Sequence, residues 1–140
     1  MTKSVLIVDD SFLMRRILQD LIESDPDFSV VGTAENGKIG LQKLRELKPD
    51  LVVLDLEMPE MSGLDMLKRL VLVSKAKAIV VSSIGQAGEA QALQARKLGA
   101  FAVVAKPSGP MSSDLKERRG YEIVVAARQA LGLEAPEPKG

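Results

Sequence analysis

Three aspartates and a lysine stand where apolar runs stop. The run 5–8 leads straight into Asp9 and Asp10, the run 51–54 leads into Asp55, and the run ending at Val104 leads through Ala105 to Lys106. Two unit charges about 5 Å apart repel by roughly 3 kcal/mol at an effective dielectric near 20. Three clustered carboxylates therefore need protonation, with at least one raised pKa, or a hard cation. Mg²⁺ takes oxygen ligands, keeps several waters and is often completed by a phosphate oxygen, so an open site with two or three carboxylates suits it. A lysine facing such a crevice can pair with a bound phosphate as a point charge. Ser82 ends another apolar run, and its hydroxyl can donate to a phosphoryl oxygen. Each residue alone has a plainer reading: Asp10 as a cap for the helix after Ser11, Ser82 as a turn residue. The coincidence of several strand ends is what favours the chemical reading.

Composition removes most other chemistries. The chain has no His and no Cys, which excludes Ser-His-Asp hydrolysis, His- or thiolate-ligated zinc, a phosphohistidine of its own and disulfides. Lys plus Arg number 19 and Asp plus Glu 19, a formal net charge of zero. That balance argues against a nucleic-acid-binding surface. No apolar run is long enough to cross a bilayer and no signal-peptide layout opens the chain, so a cytoplasmic protein without membrane or nucleic-acid partners is expected.

The elements that must position these residues follow from the pattern. The 140 residues suit one domain. Runs 5–8, 30–33, 51–54, 78–81 and 101–104 read as strands, and none shows polar alternation, so each is expected to be covered on both faces. Leu13, Ile17 and Leu21, widened by Met14 and Leu18, form a helical stripe ended by Asp25 and Pro26. Asn36-Gly37 resembles a hairpin turn, but the residues that follow keep helical spacing, and Asn36 reads as an N-cap. Helices are expected over 64–73, over 86–98 with Gly99 as C-terminal cap, and over 114–131. The fourth has an apolar face of Ala87, Ala90 and Ala95, which buries little area and predicts the loosest packing. Pro107 restricts Lys106 to extended backbone and can carry a cis bond. Five β-α units in a row predict a doubly wound parallel sheet, whose functional crevice lies beyond the carboxyl ends of its strands.

The stretches "VLIVDDS…LMR", "PDLVVLDLEMPEMSGLDML", "VVSS" and "AKPSG" together resemble the receiver domains of two-component response regulators, from Ser4 to about Leu131. Within that family "DDSFLMR", "LEMPEMSGLDML" and "KPSG" are most similar to the receiver of the chemotaxis protein-glutamate methylesterase. The resemblance implies a flavodoxin-like (βα)5 α/β fold of strand order 2-1-3-4-5, with a receiver over 1–131 and a linker-like tail over 132–140. It implies Asp55 as phosphoacceptor, and Mg²⁺ held by Asp9, Asp10 and Asp55 with the backbone carbonyl of Glu57. Lys106 takes the place of the phosphate-pairing lysine. Ser82 takes that of the switch hydroxyl, with Ser83 as the alternative one residue on. The donor implied is a phosphohistidine on a sensor histidine kinase. The output is a downstream effector or a C-terminal effector domain, reached through the face of the fourth helix, last strand and fifth helix.

There are departures from the family pattern. Val103 stands where many receivers carry an aromatic switch residue, and Glu57 adds an acid beside the nucleophile's loop. The methylesterase relatives carry a catalytic domain; no G-x-S-x-G turn occurs here, so no enzyme beyond weak self-dephosphorylation is expected. Two other readings are weaker. A haloacid dehalogenase-type phosphatase normally has a second aspartate two positions after the nucleophile, where Glu57 stands. A flavodoxin needs a phosphate-cradling loop after the first strand, where two negative charges stand.

Overall fold

The computed structural model describes residues 2–58, 61–82, 86–107 and 113–134. The elements alternate as β1 Lys3–Val8, α1 Phe12–Glu23, β2 Phe28–Ala34, α2 Gly37–Leu47, β3 Leu51–Asp55, α3 Gly63–Val73, β4 Lys77–Ser82, α4 Gln86–Lys97, β5 Ala102–Ala105 and α5 Ser113–Ala130. The strands form one sheet of order β2-β1-β3-β4-β5, all neighbours parallel. This is the doubly wound α/β arrangement expected from the five β-α repeats, in the flavodoxin-like order that the family resemblance implied.

Strand alternation sorts the core into two layers. Leu6, Val8, Val52, Leu54 and Val80 face α2, α3 and α4, where Leu41, Leu44, Met66, Leu67, Leu70 and Ala95 are buried. Val5, Ile7, Leu51, Val53, Ile79 and Val81 face α1 and α5, against Met14, Leu18, Ile22, Ile123 and Ala127. Each such Val, Leu, Ile or Met side chain contributes about 1.5–3 kcal/mol by leaving water, and the alanines less.

The strand ends are tied at the opposite edge from the acids. Asp50 Oδ2 accepts from the Ser4 amide at 2.9 Å and the Ser4 hydroxyl at 3.2 Å, fixing the start of β1 beside that of β3.

Some expectations shift. β5 begins one residue later than 101–104, leaving Phe101 outside it and half-exposed. β2 and β5 are edge strands and are not covered throughout; every residue of β5 is only half-buried. An edge strand has a neighbour on one side only, which a run of apolar residues does not reveal. In α1 the buried stripe is Met14, Leu18 and Ile22, while Leu13 is 68% exposed. The Ser11 hydroxyl accepts from the Met14 amide at 3.2 Å, and this cap sets the phase of the helix. The helix closes at Ser24, just before the expected Asp25.

Asn36 caps α2 as expected, its Oδ1 taking the Ile39 amide at 2.8 Å. Gly99 ends α4 with φ +115°, a left-handed conformation suited to glycine. On α4 Ala95 is fully buried but Ala90 is exposed; the side chain of Ala87 lies outside the described set. No peptide bond between described residues is cis, so Lys106–Pro107 is trans.

Candidate functional site

Asp9 and Asp10 follow β1, Asp55 is the last residue of β3, and Lys106 follows β5. Asp55 continues the parity of Leu51 and Val53, Asp9 that of Val5 and Ile7, and Lys106 that of Ala102 and Val104. All three therefore emerge on the α1/α5 face at the carboxyl edge, which is why residues so distant in sequence converge. The sheet order places the strand bearing Asp55 directly beside that bearing Asp9.

Carboxylate oxygens of Asp9, Asp10 and Asp55 all lie within 4.8 Å of one another. Asp9 and Asp55 are buried and Asp10 is exposed, so the cluster opens to solvent on one side. The Ser11 amide donates to Asp9 Oδ1 at 2.8 Å, and the Glu57 amide donates to Asp55 Oδ1 at 3.2 Å. Lys106 Nζ lies 3.0 Å from Asp55 Oδ1 and 3.4 Å from Asp9 Oδ2. The second contact is an ion pair without hydrogen-bond geometry. Asp9 Oδ2 and Asp55 Oδ2 are thus buried oxygens that accept no hydrogen bond.

The electrostatics follow from burial. Loss of hydration, then the charge of Asp9, pushes the Asp55 pKa up to about 6, against the pull of Lys106 and the Glu57 amide. Burial raises Asp9 as well, opposed by the Ser11 amide and Lys106. Burial alone would weaken the Lys106 charge, but its hydrogen bond to Asp55 and the negative charges of Asp55 and Asp9 outweigh that and raise its pKa. One ammonium among three carboxylates leaves excess negative charge, with Asp55 Oδ2 accepting no hydrogen bond and Asp9 Oδ2 held only by its ion pair with Lys106. An all-oxygen donor set of this kind, open on one side, fits a hard divalent cation that retains water.

Two supporting residues complete the frame. Gly63, at the start of α3, donates its amide to Leu56 O at 3.0 Å. A Cβ there would stand 2.2 Å from Asp55 O and 2.5 Å from Leu56 Cα, so the loop carrying Asp55 can only pass a glycine. The motif contained this residue, but its contact with the aspartate's own backbone was not legible in the pattern. Arg15 Nη1 donates to Asp9 O at 2.7 Å, holding the β1–α1 turn from the helix side. Arg16, its neighbour, makes only an exposed pair with Asp20 at 3.8 Å.

Ser82 is buried at the end of β4. Asp55 pairs with Val81 across the sheet, so Ser82 stands one residue further on, with Ala105 as its partner in β5. The Lys106 amide donates to Ser82 O at 3.0 Å. Ser83 lies outside the described residues. The Glu57 carboxylate is exposed and is not in the gathered acid set, where a phosphatase of the alternative type would need its second acid.

The family model of the response regulator receiver domain matches residues 5–126. A protein-glutamate methylesterase/protein-glutamine glutaminase from Syntrophomonas wolfei is 45% identical over 134 residues, covering 94% of this chain and 38% of that protein. The one from Halalkalibacterium halodurans is 48% identical over 119 residues, covering 85% and 34%. The chain thus spans little more than a third of the curated relatives it matches. The crystal structure of the response regulator domain of Thermotoga maritima CheB superposes with a TM-score of 0.84 at 36% identity, covering 96% of this chain and 99% of that one. A chain in the crystal structure of the P1 domain of CheA3 in complex with CheY6 from R. sphaeroides superposes with a TM-score of 0.77 at 39% identity, covering 93% of this chain and 97% of that one. The clustered acids, the lysine that pairs with them and these likenesses lead to one conclusion: the chain belongs to the response regulator receiver domains, the phosphorelay modules of two-component signalling, and is of the kind found in chemotaxis methylesterases.

Proposed function

We propose that Asp55 accepts a phosphoryl group from a phosphohistidine on a sensor histidine kinase, with Mg²⁺ held by Asp9, Asp10, Asp55 and the backbone carbonyl of Glu57. The observation that carries this is the pair of buried oxygens on Asp9 and Asp55 that accept no hydrogen bond, inside a cluster that one lysine leaves negatively charged. An Asp55 carboxylate oxygen forms the new bond to phosphorus as the bond to the imidazole nitrogen breaks, and the electron pair returns to the ring. With a pKa about 6, Asp55 is largely ionised at neutral pH and able to attack. Bound Mg²⁺ supplies positive charge for the carboxylates and for the equatorial oxygens of the transferring group. Lys106, already 3.0 Å from Asp55 Oδ1, meets the same charge from the other side. The Glu57 amide keeps the carboxylate's orientation.

The acyl phosphate brings about two negative charges to this edge of the sheet. Ser82 moves its hydroxyl toward them, and the change passes to α4, whose described buried anchor is Ala95. The face of α4, β5 and α5 then controls an effector or a methylesterase domain. On this reading 1–131 is the receiver and 132–140 the connecting tail, the protein works in the cytoplasm, and the acyl phosphate hydrolyses slowly at the same site. Intact mass after incubation with Mg²⁺ and acetyl phosphate tests the core of it. One phosphoryl group is expected on the wild type and none on Asp55→Asn; equal labelling of both would overturn the assignment.

A further inference from the structure

At the opposite edge of the sheet from the acids lies an open cleft of about 890 Å³. Lys3, Arg45, Lys48, Lys75 and Lys77 surround it. Leu44, Val73 and Leu131 give it an apolar floor, with Val73 50% exposed. Among the described residues Asp50 is the only acid of the lining, and its Oδ2 is occupied by the amide and hydroxyl of Ser4. None of the five cations is in an ion pair with a described carboxylate, whereas Arg16, Lys106 and Arg128 are. We infer that this cleft is a docking site for an acidic peptide segment bearing apolar side chains, presented by a partner protein.

Helix-end electrostatics account for only part of the cluster. Arg45 lies in the last turn of α2 and Lys48 is its C-cap, positions that complement the helix dipole. Lys3 and Lys77 instead begin β1 and β4, and Lys75 lies in the loop between α3 and β4. Lys75 follows Ser74, the C-cap of α3, and so also stands at a helix C-terminus; no helix end accounts for Lys3 and Lys77. In a chain of zero net charge, gathering five cations around one concavity separates charge across the molecule, with the acids at the far edge. Such a field draws in an anionic segment and speeds its encounter.

The shape selects among anions. A concave apolar floor rimmed by cations accepts a leucine-like side chain between carboxylates. Nucleic acid is disfavoured, since the lining holds no aromatic side chain on which a base could stack. A lipid surface is met by convex or flat faces, and this one is concave.

The test uses a fluorescent peptide of Glu-Glu-Leu repeats, a single-stranded oligonucleotide and phosphatidylglycerol vesicles. The peptide is expected to raise anisotropy, to weaken as salt rises, and to shift the amide resonances of Lys3, Arg45 and Lys77 without shifting Asp9 or Asp55. Reversing charge in Lys75→Glu with Lys77→Glu should weaken binding about tenfold or more, while phosphorylation at Asp55 stays intact. If that variant does not fold, Arg45→Gln with Lys48→Asn serves, since Asn accepts the left-handed backbone that Lys48 adopts at φ 47°. No peptide binding, binding indifferent to these substitutions, or equal binding by oligonucleotide or vesicles would overturn the inference.

Discussion

The burial of Asp55 places a cost on the folded protein that can be read as a function of pH. The Asp55 pKa is pushed from an ordinary 3.8 to about 6, so the folded state holds its proton more tightly than the unfolded chain. The contribution of this residue is therefore most favourable below about pH 4 and is lost as pH rises towards 6, up to about 3 kcal/mol. Urea unfolding in metal-free buffer should show Asp55→Asn gaining on the wild type across that interval and staying ahead above it. Parallel curves would contradict the electrostatic account. Gly63 gives a second expectation at this scale. Gly63→Ala forces a methyl group to within 2.2 Å of Asp55 O, where backbone rather than a flexible side chain must yield. A loss of about 1–3 kcal/mol is expected, as for other overpacked positions. Acyl-phosphate formation should slow as well, because the strain falls on the residue that carries the carboxylate; normal phosphorylation kinetics in the variant would show that the site tolerates the shift.

Among the elements, α5 is held differently from α4. Arg128 Nη1 donates to Asp25 Oδ1 at 3.1 Å and Oδ2 at 2.8 Å, and to Asp27 Oδ2 at 2.8 Å, while its Nε donates to Glu134 O. Those bonds join α5 to the turn between α1 and β2, and they hold the Arg128 pKa above its ordinary value, through Asp27 first and then Asp25. Arg128→Ala leaves the buried Asp25 without its cation and should cost about 1–3 kcal/mol. An unchanged urea midpoint would mean the clasp contributes nothing net. On α4 the described buried side chain is Ala95, with Leu93 58% exposed. An alanine buries less area than the leucines under α3, so displacing α4 forfeits less than displacing its neighbours. On the proposed reading, that difference suits an element that must move when Asp55 is phosphorylated.

For the molecule as a whole, the parallel sheet is what turns separated acids into a site. Ligand binding to the folded state alone stabilises it by mass action, about 1.4 kcal/mol at ten times Kd. Adding Mg²⁺ should therefore raise Tm in the wild type, and Asp9→Asn with Asp10→Asn should abolish the rise. A rise that survives both substitutions would place the ion elsewhere. The same architecture puts the cationic cleft at the other end of the strands, so a partner there would leave the acidic edge accessible to a kinase.

Much of this protein was legible along the chain. Apolar runs ending in Asp9, Asp55 and Ser82, with helical spacing between them, determined the βα repeat, its parallel sheet and the edge where the acids sit, because burial and periodicity are local properties. Asn36 and Gly99 announced their helix ends for the same reason: capping depends on a few neighbouring residues. Other features depended on which strands became neighbours. Exposure of Leu13 followed from the phase set by the Ser11 cap, and the half-cover of β5 followed from its place at the sheet edge. The convergence of Asp9, Asp55 and Lys106 needed the order β2-β1-β3-β4-β5 and a shared parity. So did the gathering of Lys3, Arg45 and Lys75, which lie far apart in sequence. Such contacts are long-range, and only the closed packing of both helical layers on the sheet decides them.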